Sequence, residues 1–236
     1  MTDKKITELT EATSVLDADV IPIVVDTTSV PITKKVSLST LLSGLISGWV
    51  SAQETWTYAS PTTIAVPTDA TLKYSIGDKV RFQNNDSGTY LYAYIVTVAA
   101  TLLTVIGDAV PNAVLTDNYF SKASTPLGFP QKFSWTPSWT SLTVVGTPTY
   151  TGFYTIIGNV LKFVSTVTAT TSTACTVGVT NINNLPVSAA RADVVYVSSN
   201  FVGNIGMGIV STNVVFPPGW AASAHVFIIS GCYQIT

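Results

Sequence analysis

Side chains able to do acid–base, nucleophilic or metal chemistry are few in this chain, and their spacing joins none of them into a site. His225 is the sole histidine and stands beside the apolar run Val226-Phe227-Ile228-Ile229. With no second imidazole and no adjacent carboxylate, it reads as a core or interface residue rather than a general base or metal ligand. Asp193 is the only carboxylate side chain beyond residue 133, so no Ser-His-Asp arrangement can be assembled there. Paired carboxylates for glycoside hydrolysis would have to come from Asp69, Asp78, Asp86, Asp108 or Asp117. Most of these stand next to Gly, Ser or Asn and read as turn residues. Gly203-Asn204-Ile205-Gly206-Met207-Gly208 mimics a phosphate loop, but no helix pattern follows it, and it reads as a bend between strands. Cys175 and Cys232 belong to no C-x-x-C or Cys/His pattern and read as small apolar side chains in a reducing compartment. A disulfide between them requires Cα atoms within about 7 Å. The expectation is a non-enzyme with no metal and no cofactor.

Aromatic rings are the remaining candidates. Trp135, Trp139, Tyr150, Trp220 and Tyr233 offer flat apolar faces with a polar edge, the shape that stacks on the C–H face of a sugar. The competing role for large aromatics near proline is to anchor a domain's first strand or a contact between subunits. Trp220, in Pro217-Pro218-Gly219-Trp220-Ala221, is predicted to be the most exposed of the five, because a Pro-Pro-Gly loop cannot be a central strand.

The background around these residues excludes several classes of function. Charged residues make up 10% of the 236, against roughly 25% in an ordinary soluble protein. The net charge of −2 and the lack of a basic block argue against a nucleic-acid partner. No run of 18 apolar residues is present, which excludes a spanning helix, and Met1-Thr2-Asp3-Lys4-Lys5 has no secretory apolar region. The expectation is synthesis in a cytoplasm without membrane insertion. A small outer-membrane barrel is disfavoured on the same ground, and because the chain ends Gln234-Ile235-Thr236 without a terminal aromatic.

From Phe133 onward the only charges are Lys162, Arg191 and Asp193. That shift marks a boundary, and two prolines and a glycine in Pro126-Leu127-Gly128-Phe129-Pro130 place a linker over 123–132. Residues 1–45 are expected to form a small α/β module. In it Asp19–Asp26 and Ile32–Leu38 pair as a hairpin, and Ser39 caps a short helix carrying Leu41, Leu42, Leu45 and Ile46. Residues 49–122 read as a β barrel or sandwich, with strands over 62–67, 77–82, 90–98 and 102–106. Residues 133–236 read as a jelly-roll-like β-sandwich with strands over 141–145, 149–157, 160–170, 193–197, 208–211, 213–216 and 225–230. Gly158-Asn159 is a two-residue hairpin link. The fold class is mainly β.

A domain surface normally carries about 25–35% charged side chains, which three charges cannot supply over the last hundred or so residues. Apolar runs such as Val144-Val145, Ile156-Ile157, Val214-Val215-Phe216 and Phe227-Ile228-Ile229 put apolar groups on both faces of a sheet, one for the core and one for a neighbour. An obligate homo-oligomer, most simply a trimer, is expected.

Several segments resemble a known family. Lys5-Ile6-Thr7-Glu8-Leu9, Asp19-Val20-Ile21-Pro22-Ile23-Val24, Thr33-Lys34-Lys35-Val36 and Leu41-Leu42 resemble the N-terminal module of tailed-bacteriophage fibre and spike proteins. Tyr74–Phe82 and Pro126–Pro130 are similar to middle segments of such appendages. Trp135-Thr136-Pro137-Ser138-Trp139, Gly146–Tyr154, Ile157–Val160 and Asn183-Asn184-Leu185-Pro186-Val187 resemble the start of their C-terminal β domain. The resemblance implies a trimeric virion surface protein. Its N-terminal module docks on other virion proteins, and its C-terminal domain faces a host surface glycan or protein. Ile6, Leu9, Leu16, Ile21, Ile23, Val24, Val36, Leu41 and Leu42 are then the apolar docking contacts, with Lys34 and Lys35 as rim charges that set orientation. The chain departs from long fibres in having no heptads and no repeat that would build a shaft. That leaves open a short tail fibre, a head fibre or a capsid decoration protein serving particle stability or surface display.

Overall fold

Alternation of apolar and polar side chains dominates the chain, and strands are what it forms. The computed structural model describes Leu16 and residues 19–25, 32–38, 46–201 and 203–235. The chain divides into two units, Met1–Trp49 and Val50–Thr236.

In the first unit, β1 (Val20–Val25) pairs antiparallel with β2 (Ile32–Ser37), from Val20 opposite Ser37 to Val25 opposite Ile32. This is the predicted hairpin. The α/β character expected of residues 1–45 is not supported, since there is almost no helix among the described residues. Most of the helix placed after Ser39 lies outside the described residues, with Leu41, Leu42 and Leu45; of the residues expected in it, Ile46 is described, is helical with Ser47, and is exposed.

The second unit begins with β3 (Val50–Ser51), β4 (Thr57–Ser60), β5 (Thr63–Ala65), β6 (Lys79–Asn84), β7 (Tyr90–Ala99), β8 (Leu102–Gly107) and β9 (Leu115–Ser121). They form one antiparallel sheet in the order β3-β9-β6-β7-β8-β5-β4. It is a single curled sheet, a half-barrel, rather than a closed barrel or a two-sheet sandwich. Its concave side is filled by Trp56, Ile64, Tyr74, Val80, Phe82, Ile95, Leu103 and Val105.

The chain continues through β10 (Phe133–Trp135), β11 (Trp139–Thr140), β12 (Thr143–Val145), β13 (Thr149–Ile157), β14 (Val160–Thr168) and β15 (Ser172–Cys175). There follow β16 (Asn181–Ile182), β17 (Asp193–Ser199), β18 (Gly203–Ser211), β19 (Val214–Phe216), β20 (Trp220–Ser223) and β21 (Val226–Gln234). The strands divide nine and three: β10-β13-β14-β21-β17-β18-β19-β16-β11, and β12-β15-β20. Gly158-Asn159 joins β13 to β14 as predicted, with Ile157 opposite Val160 and Gly158 at φ +59°. Glycine is favoured at the first central position of such a turn because no Cβ opposes the positive φ. Gly203–Gly208, expected as a bend, instead lies within β18, paired to β17 with one register shift. Seven residue pairs with β17 hold the segment as strand despite its three glycines.

Residues 123–132 connect the two sheets, and while most of them are exposed, Pro126 is buried and Phe129 and Pro130 are half-buried. Phe129 sets its ring 4.9 Å from that of Tyr94, 5.8 Å from Tyr92 and 5.8 Å from Phe133. Strand β7 serves both sides. Ala93 and Ile95 face the core of the seven-stranded sheet, while Tyr94 and Val96 join the cluster built on Phe133, Tyr154, Ile156 and Phe163. Tyr94 Oη and Thr155 Oγ1 share a hydrogen bond of 3.0 Å across the junction. Lys79, also buried, places its ammonium 5.6 Å from the Tyr94 ring and 5.8 Å from the Phe129 ring. Burial pulls its pKa down, against the charge of the adjacent Asp78.

Candidate functional site

The hairpin β1–β2 carries those of the predicted docking residues that fall on its two strands. Register sets Ile21 opposite Val36 and Ile23 opposite Lys34, and alternation puts Ile21 and Ile23 on one face. Ile32, two positions from Lys34 along β2, shares that face. Ile21, Ile23, Ile32, Lys34 and Lys35 are exposed, Val36 is half-buried and Leu16 is exposed. Val24 lies opposite Thr33. Ile6, Leu9, Leu41 and Leu42 are outside the described residues. Two strands alone are marginal in water, so this hairpin needs a surface to lie on.

The aromatic candidates do not converge. Trp220, predicted exposed, is buried at 8% exposure and stacks on Phe227 at 4.2 Å and 17° between planes. Pro217-Pro218-Gly219 is indeed a loop, but β20 starts at Trp220 and turns its ring into the core. A Cβ on Gly219 would meet the Cys175 carbonyl oxygen at 3.0 Å, so the loop hugs β15. Tyr233 is fully buried, and its hydroxyl donates to the Val187 carbonyl at 2.7 Å. Burial drives its pKa far above the usual phenol value. Trp135 lies half-buried against Gly152, where a Cβ would overlap its ring. Its Nε1–H donates to Asn184 O at 2.8 Å. Asn184 returns two bonds, accepting from Ser138 N at 2.6 Å and donating to Thr136 O at 2.9 Å. Trp135 therefore anchors the first strands of the C-terminal part. Trp139 is half-buried between Trp220 at 6.1 Å and Tyr150 at 6.5 Å. Trp220 and Tyr233 are thus removed from surface contact, while Trp139 and Tyr150 keep part of their rings at the surface.

His225 is half-buried and stacks on Phe201 at 5.0 Å, in the turn before β21 rather than in a core. Cys175 is buried and Cys232 exposed, and both are free thiols. Burial pushes the Cys175 thiol up to about 11. Among the described residues no group of three His, Cys, Asp or Glu side chains is placed to hold a metal ion.

Two surfaces that single-residue reading did not find are assembled by register. On the outer face of the nine-stranded sheet, Phe153 pairs with Val164, Val164 with Ser230, Ser230 with Tyr196 and Tyr196 with Met207, one row across five strands. Val194 opposite Ile209 extends it. Phe153, Val164, Val194, Tyr196, Met207 and Ile209 are all exposed. Lys162 lies on this face, and the Lys132 ammonium caps the row 3.9 Å from the Phe153 ring.

The second surface is on the seven-stranded sheet. Arg81 pairs with Tyr92 on one side and Tyr119 on the other, and its guanidinium carbon lies 4.4 Å from the ring centres of both Tyr90 and Tyr119. Gln83 Nε2 donates to Asp117 Oδ2 at 2.9 Å, and Tyr90 Oη donates to the same oxygen at 3.4 Å. Nearby, Glu54 takes hydrogen bonds from Thr68 Oγ1 at 2.7 Å, Trp56 Nε1 at 3.3 Å and Tyr74 Oη, and pairs with Lys73 at 3.2 Å. Burial opposes the Glu54 charge, but these donors outweigh it and hold the carboxyl below its usual range. The tyrosines lie far apart in sequence, and only the alternation in β6, β7 and β9 signals that they share a face.

No family model, curated protein or solved structure matches this chain.

Proposed function

We propose that the chain is a structural protein of a bacteriophage virion: a homotrimeric appendage, held to the particle by its N-terminal segment, that presents the β-rich remainder for attachment to a host surface. The role is binding and display, without catalysis, cofactor or membrane insertion. The observation that carries it is the outer face of the nine-stranded sheet. Exposed apolar side chains on four strands of one face, with Ser230 of the fifth strand among them, exceed the scattered apolar residues of a monomer's surface, and a copy of the same charge-poor chain is the partner such a face fits. The exposed hairpin β1–β2 supports docking by the N-terminal segment, and the resemblance to fibre proteins supports the particle. The jelly-roll-like reading of residues 133–236 is supported by the way the curled nine-stranded sheet is completed by β12-β15-β20 around one apolar core.

Light scattering on the purified chain tests the assembly. Three times 25.0 kDa is expected, and a stable species of one chain mass overturns it. A chain lacking residues 1–45 should still form the trimer yet fail to join particles. Incorporation at normal levels would place docking elsewhere.

A second reading, a head fibre or capsid decoration protein, is favoured by the lack of heptads or any shaft-building repeat in the sequence. Copies per particle separate the two, few for a tail and many for a capsid.

A further inference from the structure

The surface around Arg81 has a composition unlike the rest of the molecule, and it opens onto a groove. The loop from Ser51 to Thr55 and the segment from Val114 to Tyr119 enclose a depression of about 460 Å³, within the roughly 300–1,000 Å³ usual for small-ligand sites. Asp117 and Tyr119 belong both to this groove and to the tyrosine–arginine cluster. Two residues lining it, Gln53 at φ 51° and Asp117 at φ 49°, hold the left-handed backbone conformation without being glycine. Such conformations cost free energy and persist where the surroundings fix them, often at sites that bind.

We infer that this groove and the adjoining tyrosines bind a neutral pyranose glycan. The Arg81 guanidinium packs against the Tyr90 and Tyr119 rings, which fixes both as a rigid apolar ledge and lowers the entropy cost of stacking a sugar on it. Gln83 and Tyr90 both bond to Asp117 Oδ2, leaving Oδ1 as an acceptor at the groove. Ionised carboxylates accept only, so Asp117 takes donated sugar hydroxyls. Arg81, against the Tyr90 and Tyr119 rings, stands beside the Asp117 charge, and Lys73 pairs with Glu54 at 3.2 Å. With two cations beside two carboxylates the site carries no net charge, which suits a neutral rather than a sialylated or uronate glycan. The inference deepens the attachment reading, on which it rests for biological purpose, and moves the contact from the C-terminal tryptophans to the seven-stranded sheet.

The test uses the full chain against immobilised neutral oligosaccharides of gluco, galacto and manno configuration, with polysialic acid and alginate as acidic probes. Binding to at least one neutral series is expected. Asp117→Asn keeps a side chain that tolerates positive φ and should weaken binding tenfold or more, as should Tyr119→Ala. Tyr119→Phe, which keeps the ring, should stay within about twofold, and thermal midpoints establish that each variant is folded. No binding to any neutral series, preference for the acidic polymers, or folded Asp117→Asn and Tyr119→Ala variants that bind as wild type each overturn the assignment. A monomer that binds neutral glycan through Asp117 would remove the trimeric appendage and keep this site. A trimer on particles that binds none would do the reverse.

Discussion

Trp220 and Gly77 show how much a single position carries. The Trp220 ring fills the space between Phe227 and Trp139, so Trp220→Ala leaves a cavity rather than a bare surface. The expected loss is about 3–5 kcal/mol of stability, read as a lower urea midpoint, and not a selective loss of adhesion. Gly77 has φ +86°, and a Cβ there would overlap the backbone of Gly158 at the tip of the β13–β14 hairpin. Gly77→Ala is expected to cost about 1–3 kcal/mol, from positive φ and forced separation together. An unchanged denaturation midpoint would show that the junction yields. Trp220 was misread because proline and glycine report only that a loop is present. Where the next side chain points depends on which strand receives it, here β15 across the sheet, and a local sequence does not hold that.

Elements were more legible than their surroundings. Strands β1, β2, β7, β8, β13 and β14 stand within a few residues of expectation, because long runs of alternating Val, Ile, Tyr and Thr mark them. β9 was not anticipated, since Leu115-Thr116-Asp117-Asn118-Tyr119 interrupts its alternation with turn-forming residues and Asp117 does adopt a positive φ. The short strands β3, β10, β11 and β16, two or three residues each, exist only because longer neighbours recruit them. The Arg81 cluster was hidden for the same reason: its members meet through β9. The β3–β4 connection is held by the Glu54 carboxylate, whose pKa is depressed in the fold. Its contribution is complete above the unfolded-chain value, about 4.3, and is lost as pH falls from there through the lower folded value. The thermal midpoint should therefore drop with acidification across that window. Glu54→Gln should lower it at neutral pH and flatten this part of the profile.

At the scale of the whole molecule, low charge and register act together. Thr, Ser and Asn keep much of the surface polar without ionised groups, while Tyr196, at 57% exposure, and Met207, at 66%, are the most exposed members of the apolar row. Tyr196→Lys should put like charges where copies meet and convert the trimer to single chains in light scattering. The seven-stranded sheet, whose buried side chains are elsewhere, should keep its fold by circular dichroism. A trimer that survives this change would move the contact to another face.

Because Tyr94 and Val96 complete the apolar cluster around Phe133 and Tyr154, the last hundred residues are not a cassette. Grafting them onto a foreign carrier would bare a strip that β7 normally shields, and recombination that exchanges tips between such proteins would have to cut ahead of Tyr90 rather than at the prolines. The seam that composition draws near residue 126 is a change in solvent chemistry along the polypeptide, not a hinge at which evolution or an engineer can part it.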